Sequence, residues 1–114
     1  MARSWVILLS AAVATVAHFT LGWLAVIPVA VLAGALHFKR GWLTGLGAIL
    51  LSWSLIVLWS FVVAAGPTLE MTRALGELAG GLPAFAIVVA TLVTAALLGA
   101  AGGAFGAAVR NIVR

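Results

Sequence analysis

Charge is what this chain has least of. Only 7% of its 114 residues are charged, two of them acids, and there are two histidines. Soluble domains carry roughly a quarter of their residues as charges, so this chain has too few to cover a surface facing water. Cysteine is absent, which excludes disulfides, thiolate metal sites and cysteine nucleophiles. No Asp, Glu, Lys or Arg falls inside a long apolar run. Ionisable groups at membrane depth usually mark proton relays and ion paths, so proton- and cation-coupled mechanisms lose their usual carriers. There is no Ser/His/Asp set, no phosphate-binding glycine loop and no nucleotide motif. The expectation is a protein that is not an enzyme and holds no cofactor of its own.

What the chain has instead is apolar length. Hydrophobic residues make up 66% of it, and its mean hydropathy is +1.34. A chain of this composition has lipid as its main solvent, where every backbone polar group must be satisfied within helices. The net charge of +4 and a pI near 11.8 invite a nucleic-acid reading. The basic residues argue against it, because they stand singly or in one pair at the ends of apolar runs, as topology signals do.

The first apolar run extends from Ser4 to Phe38. As one helix it would measure about 52 Å, against a hydrocarbon core of about 30 Å. It therefore has to reverse, and the segment His18–Trp23 offers a His, a Thr, a Gly and an interfacial Trp for that purpose. Two short helices result, over 4–17 and 21–38, with Pro28 expected to kink the second. Both are near or below the length of a span, so crossing twice and re-entering as a hairpin stay open. Arg3, the apolar stretch and Ala12-Val13-Ala14 imitate a secretory signal peptide. The second apolar stretch that follows at once favours a retained first helix.

After Lys39-Arg40-Gly41 comes a third helix over 42–65, about 36 Å long. Its small residues Gly45, Ala48 and Ser52 form a stripe suited to meeting the last helix. Ser52, Ser54 and Ser60 can each bond back to their own helix carbonyls. Between Pro67 and the stop signal Gly80-Gly81-x-Pro83 the spacing predicts an amphipathic helix over 68–79. It carries Glu70, Arg73 and Glu77 on one face and Met71, Ala74, Leu75 and Leu78 on the other.

The last run, 84–109, reads as a span with a seam. Thr91, Ala95, Gly99, Gly103 and Ala107 recur every fourth residue, and Gly102 and Gly106 form a row beside them. Phe85, Val89, Leu92, Val93 and Leu97 make the bulky lipid side. The third helix is the expected partner of the seam, and the Gly102/Gly106 row is left for a second neighbour such as another subunit.

The fold expected is therefore all-α. It is a single polytopic integral membrane domain of four transmembrane helices, the first two short, with an external amphipathic helix. Four crossings place Arg3, Lys39, Arg40, Arg110 and Arg114 on one side and Arg73 on the other. The positive-inside rule then puts both termini in the cytoplasm, with the protein in the cell membrane. His18 and His37 are the only candidates for a haem or metal ligand. In the hairpin they stand about 28 Å apart, so one chain cannot use both on one ion. Three functions fit. The first is a non-catalytic accessory, assembly or scaffold subunit, packing on itself or in a larger complex. The second is a homo-oligomeric channel or carrier for a small or apolar solute. The third is a haem- or quinone-associated subunit. The partner common to all three is the lipid bilayer, with no nucleic acid.

Overall fold

The structure is a computed structural model, and it describes residues 3–36 and 39–113, the side chain of Arg3 excepted. It is all-helical, with no strand among the described residues. The helices are α1 (Arg3–Leu21), α2 (Val26–Leu36), α3 (Gly41–Val63), α4 (Ala65–Leu78) and α5 (Ala84–Val113). Three of them, α1, α3 and α5, are long and apolar enough to cross a membrane. The segment expected as a fourth span is shorter. It is a 3-10 turn at Trp23–Ala25 followed by the 11 residues of α2, together about 22 Å. Four full spans are thus not what the helix lengths provide.

The first reversal comes later than its polar residues imply. His18, Phe19, Thr20 and Leu21 continue α1, because a helix in lipid keeps its own hydrogen bonds whatever the side chain. The turn falls at Gly22, whose φ of 93° and ψ of 178° belong to a region that only glycine enters cheaply. Its N–H donates to the His18 carbonyl, and its own carbonyl accepts from Ala25. Pro28 does not kink the second helix. It sits in the first turn of α2, directly after the 3-10 turn, where proline is tolerated and the helix continues unbroken to Leu36.

Other boundaries also move. A single residue, Ala64 (φ −142°, ψ 60°), separates α3 from α4. The amphipathic helix starts at Ala65 rather than Thr68, since Pro67 is tolerated in a first turn. Its end follows the Gly-Gly signal: Gly80 and Gly81 take φ of 106° and 89°, and the Gly76 carbonyl accepts from both Gly81 and Leu82. α5 runs on to Val113, past the expected end at 109.

The helices alternate in direction. Ile7 touches Gly47 and Thr15 bonds to Ser52, so α1 runs parallel to α3. Gly41 meets Gly103 and Ala107, while Gly45 meets Gly99 and Gly103, so α5 is antiparallel to α3. Gly102 meets Ala30 and Gly106 meets Val31 and Ala35, so α5 is parallel to α2. α2 and α3 form the middle of the bundle, with α1 on one side and α5 on the other. The core joins Ala14, Val26, Val29, Ala30, Ile49 and Ala95, with Trp53 packed against them. A second cluster holds Val6, Ala33 and Ala48.

Candidate functional site

The residues that come together most closely are the small ones. At Gly34, Gly41, Gly45, Gly99, Gly103 and Gly106 a β-carbon would fall on the backbone or side chain of a neighbouring helix. Ala95, Gly99, Gly103 and Ala107 of the α5 seam are buried, and Thr91 is half-buried. The Gly102/Gly106 row is also buried, and its neighbour is α2 of the same chain rather than another subunit. Sequence spacing marks both rows but does not say which helix fills them. The stripe on α3 divides. Gly45 meets α5, Ala48 clusters with Val6 and Ala33, and Ser52 turns to α1.

Ser52 departs from the back-bonding expected of it. It is fully buried, and its hydroxyl is 3.0 Å from that of Thr15. Thr15 already donates to the Ala11 carbonyl at 2.8 Å, so Ser52 is the donor of the interhelical bond. Ser54 and Ser60 do bond back, to Leu50 and Ile56. One turn above Ser52, the ring of His18 packs edge-on against Trp53 at 6.0 Å and against Phe19 at the same separation. His18 is half-buried, and its Nδ1 and the Trp53 Nε1 are buried without a hydrogen-bond partner. His37 lies outside the described residues. No group of three His, Cys, Asp or Glu side chains converges among the described residues.

The basic residues mark one end of the bundle. Lys39 and Arg40 occupy the turn before α3 and are exposed. Arg110 donates through Nη1 to the Ala35 carbonyl at 2.7 Å. That carbonyl belongs to the last turn of α2, where a cation also complements the helix dipole. Arg114 and the Arg3 side chain lie outside the described residues. Glu70, Arg73 and Glu77 are exposed on α4.

The opposite end of the α3–α5 pair is open. A cavity of about 330 Å³ is lined by Val57, Ser60 and Phe61 of α3, by α4 from Pro67 to Leu75, and by Ile87, Val88 and Thr91 of α5. No spacing in the sequence marks it. Thr72, one of the two buried residues of α4 with Gly76, is part of its lining. Met71 and Leu75, which also line it, are largely exposed at 67% and 47%. The Thr68 hydroxyl donates to the Ser60 carbonyl at 3.0 Å, tying α4 to α3. At the other end of α4 the returning chain passes its Leu82 carbonyl directly over Gly76.

No family model, no curated protein and no solved structure matches the chain. The functional reading rests on the geometry alone.

Proposed function

We propose that the chain is a small, non-catalytic integral membrane protein acting as an accessory, assembly or scaffold subunit. The observation that carries this reading is the closed interior. α2, α3 and α5 meet backbone to backbone at their glycines, which leaves no path between them and no room for a cofactor there. Thr15 and Ser52 bond to each other across α1 and α3, and the other buried polar atoms there are single ring nitrogens of His18 and Trp53, with no second ligand beside them among the described residues. In such a bundle α1 and the short second segment form a hairpin, and α3 and α5 cross. Crossing twice or re-entering, the hairpin returns to the side it left, so both termini face the cytoplasm and α4 lies outside. The clustering of Lys39, Arg40 and Arg110 at one end supports that orientation.

Two measurements test the proposal. Reporter fusions after Arg114 and within 68–77 should report opposite sides of the membrane, and the same side for both would overturn the topology. Purification in mild detergent should bring down partner proteins in fixed ratio, with no visible absorption. A homo-oligomer alone would favour the channel or carrier, because a path then runs between copies. A Soret band would favour a haem-associated subunit.

A further inference from the structure

We propose that the cavity between α3, α4 and α5 is a binding site for one hydrocarbon chain of a membrane phospholipid, reached from the bilayer past Met71 and Leu75. The proposal rests on the membrane reading above and adds a ligand to it.

The cavity differs from the other hollows in what encloses it. The hollow around Phe19 and Trp59 lies between α1 and α3 alone, and the one around Val13 and Val16 is a surface of α1 only. Here three helices contribute walls, and they are braced. Backbone contact at Gly45 and Gly99 fixes the distance between α3 and α5 on one side of the cavity. The Thr68–Ser60 bond ties the first turn of α4 to α3, and Gly76 near its other end lies against Ile87 of α5. Bulky Val57, Phe61, Ile87 and Val88 stand where the closed end has glycines. The walls therefore cannot collapse onto each other, and an empty space would lose dispersion contacts along its whole lining.

The lining selects the chemistry of the occupant. Four hydroxyls border the cavity, and every proton is committed within the protein. Ser60 donates to Ile56, Thr68 to Ser60, Thr72 to Thr68 and Thr91 to Ile87, at 2.7 to 3.0 Å. No titratable side chain lines the space. A polar solute would leave its water shell and receive no donor in return. Water itself needs roughly two to four polar partners to stay in such a place. A hydrocarbon chain has no hydrogen bonds to give up on entering, and it restores the missing contacts. The volume is near the lower end of ligand pockets, which run from roughly 300 to 1,000 Å³, so it suits a single chain rather than a whole amphiphile. The apolar side chains at the mouth are exposed, so the opening faces hydrocarbon wherever α4 rests at the membrane surface.

The test uses the full chain reconstituted in vesicles of phosphatidylcholine carrying a diazirine near the end of one acyl chain. After photolysis, labelled residues are mapped by mass spectrometry. Labelling at Val57, Phe61 and Val88 should exceed that at the outward-facing Val89 and Val93 several-fold. Val88→Trp, which fills the cavity, should reduce the labelling of Val57 and Phe61 to the outward level, whereas Val89→Trp should leave it unchanged. Equal labelling inside and outside the cavity in the unaltered protein would overturn the site while leaving the membrane reading intact. So would cavity labelling that persists in Val88→Trp. Absence of labelling everywhere would overturn the site and the membrane reading together.

Discussion

The two ends of the α3–α5 pair are built from the same two helices and behave oppositely. At one end Gly41, Gly45, Gly99 and Gly103 let the backbones touch. At the other, Val57, Phe61, Ile87 and Val88 hold them apart around a cavity. The difference teaches that side-chain volume, more than helix hydrophobicity, decides the shape here. If the pair lies in lipid, neither end has a hydrophobic reason to close. Where small residues permit it, van der Waals contact between backbones supplies the attraction. Where they do not, a third helix has to span the gap.

The comparison breaks most visibly if bulk is added at the closed end. Gly103→Leu should cost about 3 kcal/mol, the upper part of the usual range for overpacking, because its β-carbon already meets the backbone of Gly41. Thermal unfolding in detergent measures it, and an unchanged midpoint would mean that the seam is not a packing surface. A single methyl sharpens the point. Gly34→Ala places that methyl on the Gly103 backbone and should cost about 1–2 kcal/mol. Gly66→Ala, in open space on α4, should be neutral or stabilise by up to about 1 kcal/mol through lower chain entropy. Equal effects at the two positions would abolish the distinction between the ends. The smallest change is expected on the outer face. Leu97 is 67% exposed, so Leu97→Ala should shift stability by less than about 0.5 kcal/mol. Leu92→Ala should cost more, since Leu92 is half-buried rather than on the lipid side.

Much of this fold was legible because helical geometry is periodic. The fourfold spacing of Ala95, Gly99, Gly103 and Ala107 puts them on one face whatever surrounds the helix, and they are buried. The Gly-Gly stop after α4 was legible for a similar local reason, since a positive φ is cheap only for glycine. The partner of Gly102 and Gly106 was not legible, because it depends on how the α1–α2 hairpin leans against α5. The turn at Gly22 lies within the expected segment His18–Trp23, but His18 and Thr20 drew the expected end of the first helix to 17, short of Leu21. Polarity marks a turn in water, but Thr20 satisfies itself on the Val16 carbonyl at 2.9 Å and stays helical. The exchange of Ser52 from its own carbonyl to Thr15 needs knowledge of which helix lies opposite. The cavity is the least legible feature of all. It is a remainder, set by how far two helices separate once their glycines have met.

The place of α5 in the bundle has a consequence for the order in which the protein is made. The grooves it fills, at Gly34, Gly41 and Gly45, are formed by segments that leave the ribosome long before it does. Its bond from Arg110 reaches back 75 positions, to Ala35. During that interval the nascent α1–α3 unit has its hydroxyl pair available but presents a smooth, narrow furrow to the bilayer. In the membrane setting proposed above, lipid tails would fill that furrow until α5 is inserted, and would have to leave for the backbones to meet. On that reading the final step of assembly is a displacement of lipid by protein, on the face opposite α1.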